Sequence, residues 1–283
     1  MDSQSLSKGV KKPVIRIQPP SRWVSLDFKE LWEYRELLFI LVWRDIKLRY
    51  KQTVLGVAWV VLQPFLTMVV FSLLFGVLAG LPSQDLPYTI FTYTALLPWQ
   101  LFANALTQSG NSLVMSQSLI TKIYFPRVVI PLSPIVAGLL DFAIAFVMLI
   151  GMMIFYKIVP TIAVLTLPLF ILLAIVTAFA VGLWLSALNV EYRDVRYAIP
   201  FLVQFWFFIT PVSYSIELIP EKWRTLYALN PMVGVVEGFR WALLGQELTI
   251  GPIIIASAIS VVVILVSGLF YFRRMEDRFA DVV

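Results

Sequence analysis

Three stretches of this sequence run for more than 30 residues without a charged side chain. They are 52–84 with 33 residues, 86–121 with 36 and 158–190 with 33. A charged side chain at the middle of a bilayer costs at least about 2.5–3.5 kcal/mol on insertion scales, whereas about 20 apolar residues suffice to cross the hydrocarbon core. The three stretches therefore predict segments that span a membrane.

Three further apolar stretches complete the pattern. Residues 128–156 are interrupted only by Asp141, 197–216 contain 20 uncharged residues, and 248–272 contain 25. We predict an all-α polytopic membrane protein whose six spanning helices cover 54–79, 89–115, 129–156, 162–188, 198–216 and 252–272.

The composition supports this fold class and narrows the chemistry. Hydrophobic residues make up 60% of the chain and charged residues 14%, whereas soluble domains are about half apolar and about a quarter charged. The sequence has no Cys and no His, which excludes disulfides, cysteine–zinc sites and imidazole catalysis. The lack of imidazole argues against an enzyme, and we expect no metal site, no cofactor bound by this chain and no nucleic-acid partner.

The basic residues indicate how the chain is oriented. Six spans place both termini on the same side, and that side carries 18 of the 22 Lys and Arg residues when the connections are assigned to alternate faces. Because short cytoplasmic segments are enriched in Lys and Arg, both termini are predicted to be cytoplasmic.

The segments outside the spans have distinct patterns. Residues 1–26, with Pro, Ser and Lys, predict a flexible cytoplasmic leader, and 273–283 a cytoplasmic tail. Residues 27–51 repeat apolar side chains at helical spacing opposite a charged face, which favours an amphipathic helix in the headgroup region over an ordinary soluble helix. The membrane domain is 52–272, and its outer segment 217–251 is apolar enough to re-enter the membrane as a gate.

The connection between the second and third spans, 116–127, carries bases beside aromatic residues. Lys122 and Arg127 flank Tyr124 and Phe125, and both aromatic side chains are expected to be exposed. An apolar tip on a water-facing loop favours a binding partner, but the pattern equally allows the loop to pack back on its own helices.

Polar and aromatic side chains form stripes on three of the predicted spans. Such stripes often hold transmembrane helices together, but aromatic faces with sparse amides also suit the mixed apolar and hydroxyl surface of a sugar chain. We assign the stripe Gln100, Asn104, Gln108 and Asn111 on the second helix to packing. The candidate substrate-facing stripes are Trp59, Gln63 and Thr67 on the first helix and Phe201, Gln204, Phe205 and Phe208 on the fifth.

The sequence contains neither a nucleotide-hydrolysing motif nor the set of residues that a proton relay needs. No G-x-x-x-x-G-K-[ST] phosphate loop occurs, so any ATP that drives transport by this mechanism must be hydrolysed by a partner. Asp141 is the only ionisable residue deep in a span, and a proton relay would need further members. We therefore expect Asp141 to be a protonated or hydrogen-bonded structural residue.

Four segments, in this order on six spans, resemble the transmembrane permeases of ATP-binding-cassette exporters in the polysaccharide branch, which export O-antigen, capsule or teichoic acid chains. The similarity runs nearly end to end. Its most specific parts are RDIKLRYKQTVLGVAWVVLQP at 44–64, LLPWQLFANAL at 96–106, FWFFITPVSYS at 205–215 and NPMVGVVEGFRWALLG at 230–245.

The resemblance implies a homodimer with an N-terminal interfacial helix, six spans and short outer gate helices, paired with two separate ATPase subunits that bind ATP and Mg. It implies that 116–127 is the coupling helix and that the first and fifth helices line a conduit between protomers. The resemblance gives a coupling role to Lys122, Tyr124, Phe125 and Arg127, and it places the two stripes named above in the conduit. The interfacial helix and gate would include Arg44, Asp45, Arg49 and Tyr50. The outer gate would include Trp223, Tyr227, Asn230, Glu237 and Arg240.

The resulting prediction is the permease subunit of an exporter that moves a lipid-linked, O-antigen-like polysaccharide across the bacterial inner membrane. Three alternatives make different predictions. An exporter of a small lipid or drug would not bind lipid-linked glycan. A proton-coupled transporter would need no ATPase and would depend on Asp141, and a membrane glycosyltransferase would synthesise glycan by itself.

Overall fold

A computed structural model of the chain describes residues 28–51, 56–83, 86–245, 251–276 and 278–279. Every regular element in these ranges is helical, which confirms the predicted all-α class. The leader 1–26 and most of the tail after 276 lie outside the described residues. The α-helices are α1 (Phe28–Glu33), α2 (Arg35–Tyr50), α3 (Val57–Phe71), α4 (Tyr88–Met115), α5 (Gln117–Ile120), α6 (Val129–Phe155), α7 (Leu167–Glu191), α8 (Val195–Phe208), α9 (Glu221–Tyr227), α10 (Pro231–Leu244) and α11 (Gly251–Glu276).

Helices occupy all six positions predicted to span. Four are long and apolar enough to cross a bilayer: Val57–Leu78, which is α3 continued by a π-helix, Val129–Phe155, Ile162–Glu191, which is α7 preceded by a 3-10 turn, and Gly251–Glu276. Helix α4 is also long, with 28 residues, but Gln, Asn, Ser and Thr dilute its apolar character. The count of six spans stays a prediction.

The fifth predicted span is shorter than expected. We predicted 198–216, but α8 ends at Phe208 after 14 residues, which is about 21 Å of helix against a hydrocarbon core of about 30 Å. Pro211 provides the physical reason, because it has no amide hydrogen and its ring clashes with the carbonyl four residues earlier in a continuing helix. The chain after Phe208 therefore needs other partners for its backbone.

The N-terminal helix is also interrupted. A single helix over 27–51 was predicted, but the backbone leaves helical geometry at Tyr34 (φ −93°, ψ 18°), which separates α1 from α2. The Arg35 guanidinium donates to the carbonyl of Trp32, just before the break, at 3.3 Å. The longer part, α2, packs against α6.

Helix α4 is the centre of the bundle and packs against α3, α6, α7, α8 and α10. Close approach depends on small residues, as is common between transmembrane helices. A Cβ added to Gly182 of α7 would lie 2.4 Å from the Ser109 hydroxyl of α4, and one added to Gly110 would lie 2.7 Å from the Ile199 side chain of α8. These glycines therefore fix the spacing between α4 and its neighbours.

The outer segment contributes a buried helix. Helix α10 packs against α4, α7 and α11, and 13 of its 14 residues are buried. Its N-terminus is capped by Asn230, whose side-chain oxygen accepts from the Met232 amide at 3.0 Å. The segment 217–251 is thus folded into the bundle rather than forming a free loop, although its residues 246–250 lie outside the described ranges.

We expect Gly238→Ala to destabilise the bundle, because the added Cβ would lie 2.2 Å from the Phe170 ring of α7. Forced overpacking of this kind costs about 1–3 kcal/mol, so the melting temperature of the detergent-solubilised protein should fall. Gly151→Ala in α6 is the matched control, because nothing lies within 4 Å of its added Cβ. Equal melting temperatures for the two variants would contradict the packing of α10 against α7.

Candidate transport surface, loop 116–127 and outer segment

Several aromatic side chains on α3 and α8 are exposed on the surface of the protomer. The side chains of Trp59 and Phe201 are 52% and 67% exposed, Phe205 and Phe208 are similarly open, and Gln204 is exposed. We call the predicted stripes on these two helices the α3/α8 face. Its members are Trp59, Gln63, Thr67, Phe201, Gln204, Phe205 and Phe208.

The two helices are neighbours on α4. The rings of Phe71 at the end of α3 and Phe207 of α8 stack with centroids 5.6 Å apart, and Trp99 of α4 meets Phe207 edge-on at 5.4 Å. Aromatic contacts of this kind are worth about 0.5–1.5 kcal/mol beyond their buried area. The open residues of α3 and α8 therefore belong to helices that are held together on one side of the bundle.

The α3/α8 face is poorly suited to lipid. Gln63 and Gln204 expose side-chain amides on otherwise apolar helices, and an amide that makes no hydrogen bond in hydrocarbon costs several kcal/mol. Thr67 differs, because its hydroxyl donates to the Gln63 carbonyl at 2.9 Å. The two glutamines favour a face that meets water, a polar cargo or another protein surface.

The polar stripe of α4 is mainly used in packing, as predicted. The Gln108 side-chain oxygen accepts from Arg49 at 2.7 Å, and Asn189 of α7 donates to Asn111 at 3.1 Å and to the carbonyl of Gly110 at 2.9 Å. Asn104 is different, since its side chain is exposed. For Asn104 the assignment to packing stays a prediction.

The intramembrane carboxylate of Asp141 has partners 91 and 92 residues away in sequence. Arg49 forms an ion pair with it, and Tyr50 donates a hydrogen bond to its other oxygen. The Arg49 guanidinium also donates to the carbonyl of Pro134 at 3.2 Å. Burial and the hydrogen bond to Asp141 raise the pKa of the Tyr50 phenol, so Tyr50 is a neutral donor. Asp141 is hydrogen-bonded within the protein, as expected.

A second polar contact lies one turn earlier in α2. Ser133 of α6 donates to the Asp45 carboxylate at 2.8 Å, and Arg44 pairs with the same carboxylate at 2.9 Å from a more exposed position. The amphipathic prediction required the charges of α2 to lie on one outward face. The contacts of Asp45 and Arg49 with α6 show that they do not. Asp45 and Arg49 are directed toward the bundle, while Phe39 and Trp43 are exposed on the other side.

The side chains of the loop 116–127 that were predicted to act in coupling differ in exposure. Tyr124 is 83% exposed, as expected, and Lys122 is exposed beside it, but Phe125 is only 3% exposed. The expectation of an exposed Phe125 is wrong, because its ring joins a buried cluster with residues such as Leu113 and Phe272. The alternative that this part of the loop packs back on its own helices holds for Phe125.

Arg127 is also directed inward. Its guanidinium donates to the carbonyl of Glu276, its backbone amide donates to the Glu276 carboxylate at 3.2 Å, and it lies 5.9 Å from the Phe279 ring. The loop is thereby fastened to the end of α11. Lys122 and Tyr124 remain as the outward-facing members of the predicted coupling set.

The segment that follows α8 accepts hydrogen bonds from side chains of α4, of α10 and of the residue that caps α10. The guanidinium of Arg240 donates to the carbonyls of Val212 at 3.0 Å and Tyr214 at 3.3 Å, and Tyr88 donates to that of Ser213. Asn230 donates to the carbonyl of Ile209 at 3.1 Å. Non-helical backbone at membrane depth is tolerated only when it is buried in protein or lines water, and these donors satisfy that requirement.

Arg240 itself is neutralised within α10. Its side chain is completely buried, forms a 2.7 Å ion pair with Glu237, and places its guanidinium carbon 3.7 Å from the centre of the Phe91 ring. A buried pair of this kind strongly favours the arrangement that keeps both partners together. Glu237 and Arg240 therefore hold the outer segment together, and their predicted gate role stays a prediction.

The remaining predicted gate residues lie nearer the surface. Tyr227 forms a hydrogen bond with the hydroxyl of Tyr214, Trp223 is exposed, and Asn230 accepts from the Trp206 indole at 2.8 Å. Within the described ranges, His, Cys, Asp and Glu form no group of three that could hold a metal ion. The structure thus presents an open amide-bearing face and a helix, α2, that is anchored to α6, without a metal centre in the described residues.

Together, the apolar bundle and the open face define a polytopic, all-α membrane protein of the transport class. The chain belongs to the ABC-2 type transporter family, whose pattern matches residues 36–244. That match includes α2 from Glu36 onward, the α3/α8 face, the loop 116–127 and α10.

Individual relatives have similar lengths and names that agree with one another. The chain is 34% identical over 253 residues to the O-antigen export system permease protein RfbA of Myxococcus xanthus, covering 88% of this chain and 96% of that protein. It is 29% identical to the protein of the same name from Klebsiella pneumoniae, over 88% and 95% of the two chains. It is 25% identical to the polysialic acid transport protein KpsM of Escherichia coli, over 86% and 93%.

We expect Asp141→Asn to destabilise the protein, because the substitution removes the charge that Arg49 pairs with inside the bundle. Hydrogen bonds to charged groups contribute about 1.5–3 kcal/mol each, so the melting temperature of the solubilised protein should fall. Asp194→Asn is the control, because Asp194 is exposed and makes no side-chain bond among the described residues. A stable Asp141→Asn variant that has lost transport driven by a pH gradient would instead favour proton coupling.

Proposed function

We propose that this chain is the permease subunit of an ATP-driven exporter that moves a lipid-linked polysaccharide across the bacterial inner membrane, from the cytoplasm to the outer face. The observation that carries the proposal is the α3/α8 face. It combines four aromatic side chains with the exposed amides of Gln63 and Gln204.

The cargo class is supported by chemistry and by the relatives. Aromatic rings pack against the apolar faces of sugars, while amides donate to and accept from hydroxyls. The α3/α8 face provides both kinds of group over consecutive turns of two helices. The three relatives described above carry names that specify O-antigen export or polysialic acid transport, and the chain aligns with 93–96% of each of them.

A homodimer would give the α3/α8 face an enclosed environment. In one protomer this face is open, and the exposure of Gln63 and Gln204 to lipid would be costly. Two copies that place these faces opposite each other would form a conduit lined by Trp59, Phe201 and their neighbours. The same arrangement removes the glutamines from contact with lipid.

Energy would come from two copies of a separate ATPase, which would bind ATP and Mg. The permease sequence has no phosphate loop, and Lys122 and Tyr124 project from the loop 116–127 on the side predicted to be cytoplasmic. The inward contacts of Phe125 and Arg127 connect this loop to α11. A force applied at Tyr124 would therefore be transmitted to the bundle rather than absorbed by a loose loop.

The anchored helix α2 provides a second mechanical connection. Its ion pair between Arg49 and Asp141 and the contact between Asp45 and Ser133 join α2 to α6 at two points. We propose that closure of the ATPase subunits shifts the loop 116–127 and α2 together. This shift would open the seam between protomers to the lipid-linked end, and the sugar chain would follow.

The absence of native Cys allows a direct test of the dimer arrangement. We expect Gln204→Cys to form an intermolecular disulfide in oxidised membranes, because the conduit would bring the two α3/α8 faces together. Val147→Cys is the control, since Val147 is also exposed, at 67%, but lies on α6, a helix outside that face. Cross-linking of Val147→Cys without cross-linking of Gln204→Cys would place the interface elsewhere.

Replacement of Phe201 and Gln204 together by Ala should reduce polysaccharide export, because both side chains are exposed on α8 and would contact the cargo. Export should fall by about tenfold if stacking and hydrogen bonding together contribute about 1.4 kcal/mol. Cell-surface glycan is the measurement, and retained association with the ATPase shows that the variant is assembled. Normal export by an assembled double variant would exclude these residues from the conduit.

Tyr124→Ala and Phe125→Ala should separate coupling from stability. Tyr124→Ala should lower export and stimulated ATPase activity with an unchanged melting temperature, because its side chain is exposed. Phe125→Ala should lower the melting temperature, since removal of a buried Phe costs about 3–5 kcal/mol. Full coupling in the Tyr124→Ala variant would contradict the proposed docking role.

A further inference from the structure

A groove of about 890 Å³ lies between α7 and α11, away from the residues assigned to the conduit. It is within the size range of pockets that bind small molecules. It follows α11 through several turns, and α7 contributes its other wall with Trp184 and Glu191. The residues that matter to its chemistry are Trp184, Glu191, Val262, Val266, Arg274 and Arg278.

Most of the groove is aliphatic. Val262, Val263 and Val266 are all more than half exposed, and the groove runs from Val262 to Arg274 over about 18 Å, given the rise of about 1.5 Å per helical residue. Half of a bilayer's hydrocarbon core is about 15 Å thick. The aliphatic wall therefore has the length of the acyl chains in one leaflet.

The groove ends in basic side chains near the C-terminus of α11. Among the described residues, Arg274 and Arg278 make no ion pair and no side-chain hydrogen bond, whereas the adjacent Arg273 pairs with Glu276 at 2.8 Å. Glu191 is the carboxylate among the groove-lining residues, and its oxygen lies 3.5 Å from the Tyr271 hydroxyl. Two guanidinium groups thus face the groove against one carboxylate.

A rigid aromatic surface lies between the aliphatic wall and the basic end. The rings of Trp184 and Tyr271 stack at 4.4 Å with an angle of 11°, and the Trp184 indole donates to Ser267 at 3.2 Å. Gly268 allows the helices to meet here, because an added Cβ would lie 2.6 Å from the Ala180 carbonyl. Trp and Tyr are typical of the headgroup boundary of membrane proteins.

We propose that this groove binds a diacyl phospholipid with an anionic headgroup. Its acyl chains would lie along Val262, Val263 and Val266, and its phosphate would be bound by Arg274 and Arg278. Basic pockets between transmembrane helices are suited to anionic headgroups. The charge pattern and the leaflet-length wall specify this occupant, and the proposal does not depend on the identity of the exported cargo.

A second copy of the chain fits the groove less well than a lipid. An interface between copies would have to fill an open volume of about 890 Å³ and provide carboxylates for Arg274 and Arg278. The unpaired amides that favour a protein or cargo surface lie instead on the α3/α8 face. A polyprenyl-linked cargo shares the anionic headgroup, so it is included as a separate arm of the test.

Native mass spectrometry of the full-length purified chain provides the test. With phosphatidylglycerol added, the wild type should retain one tightly bound lipid, while phosphatidylcholine and inorganic phosphate should not be retained. The double variant Arg274→Gln/Arg278→Gln should bind phosphatidylglycerol about tenfold more weakly or worse, because each basic residue contributes to headgroup attraction. Arg273→Gln is the matched control and should bind as wild type does.

A second variant tests the aliphatic wall without altering charge. Val266→Trp should fill the groove and also release phosphatidylglycerol, while monodispersity in detergent shows that the variant is folded. The proposal is overturned by unchanged phosphatidylglycerol retention in both variants, by equal retention of phosphatidylcholine, or by retention of a polyprenyl phosphate in preference to phosphatidylglycerol. Conversion of the double variant to monomers without a change in lipid retention would identify the groove as a protein interface and would equally overturn it.

Discussion

The structure depends on one constraint: a charged side chain placed among membrane helices must find its partners within the protein. Arg240 illustrates this requirement, because it is completely buried, pairs with Glu237 and donates to the carbonyls of Val212 and Tyr214. Hydrocarbon cannot replace those bonds. The early end of α8 and the burial of α10 are therefore connected. The carbonyls that follow α8 have no helical partner, and Arg240 of α10 donates hydrogen bonds to two of them.

The same constraint connects helix α2 to the bundle. Asp141 would be costly in a span by itself, and Arg49 and Tyr50 of α2 provide its partners. This ion pair gives an intramembrane carboxylate a structural explanation and removes the main reason to consider proton coupling. The α3/α8 face is the contrasting case, because Gln63 and Gln204 remain open in the single protomer. That difference is why the face, rather than Asp141, is the better candidate for function.

Sequence patterns predicted the positions of helices better than the directions of individual side chains. The periodic apolar stretches located helices at all six predicted positions because hydrophobic burial acts over many residues. They could not distinguish Tyr124 from Phe125, which are adjacent, aromatic and on the same loop, yet one is exposed and the other is buried. Only the position of Phe272 and its neighbours at the end of α11 decides which ring is covered.

The sequence by itself determined the all-α membrane class, the basic bias of one side and the lack of a phosphate loop, because charge and hydropathy act through composition and local spacing. It also identified the aromatic and amide stripes on α3 and α8. The tertiary structure decided that Arg49 and Tyr50 bind Asp141, that α8 ends at Phe208 and that Phe125 is buried. These outcomes join residues that are far apart in the chain, and such contacts arise only when the helices pack.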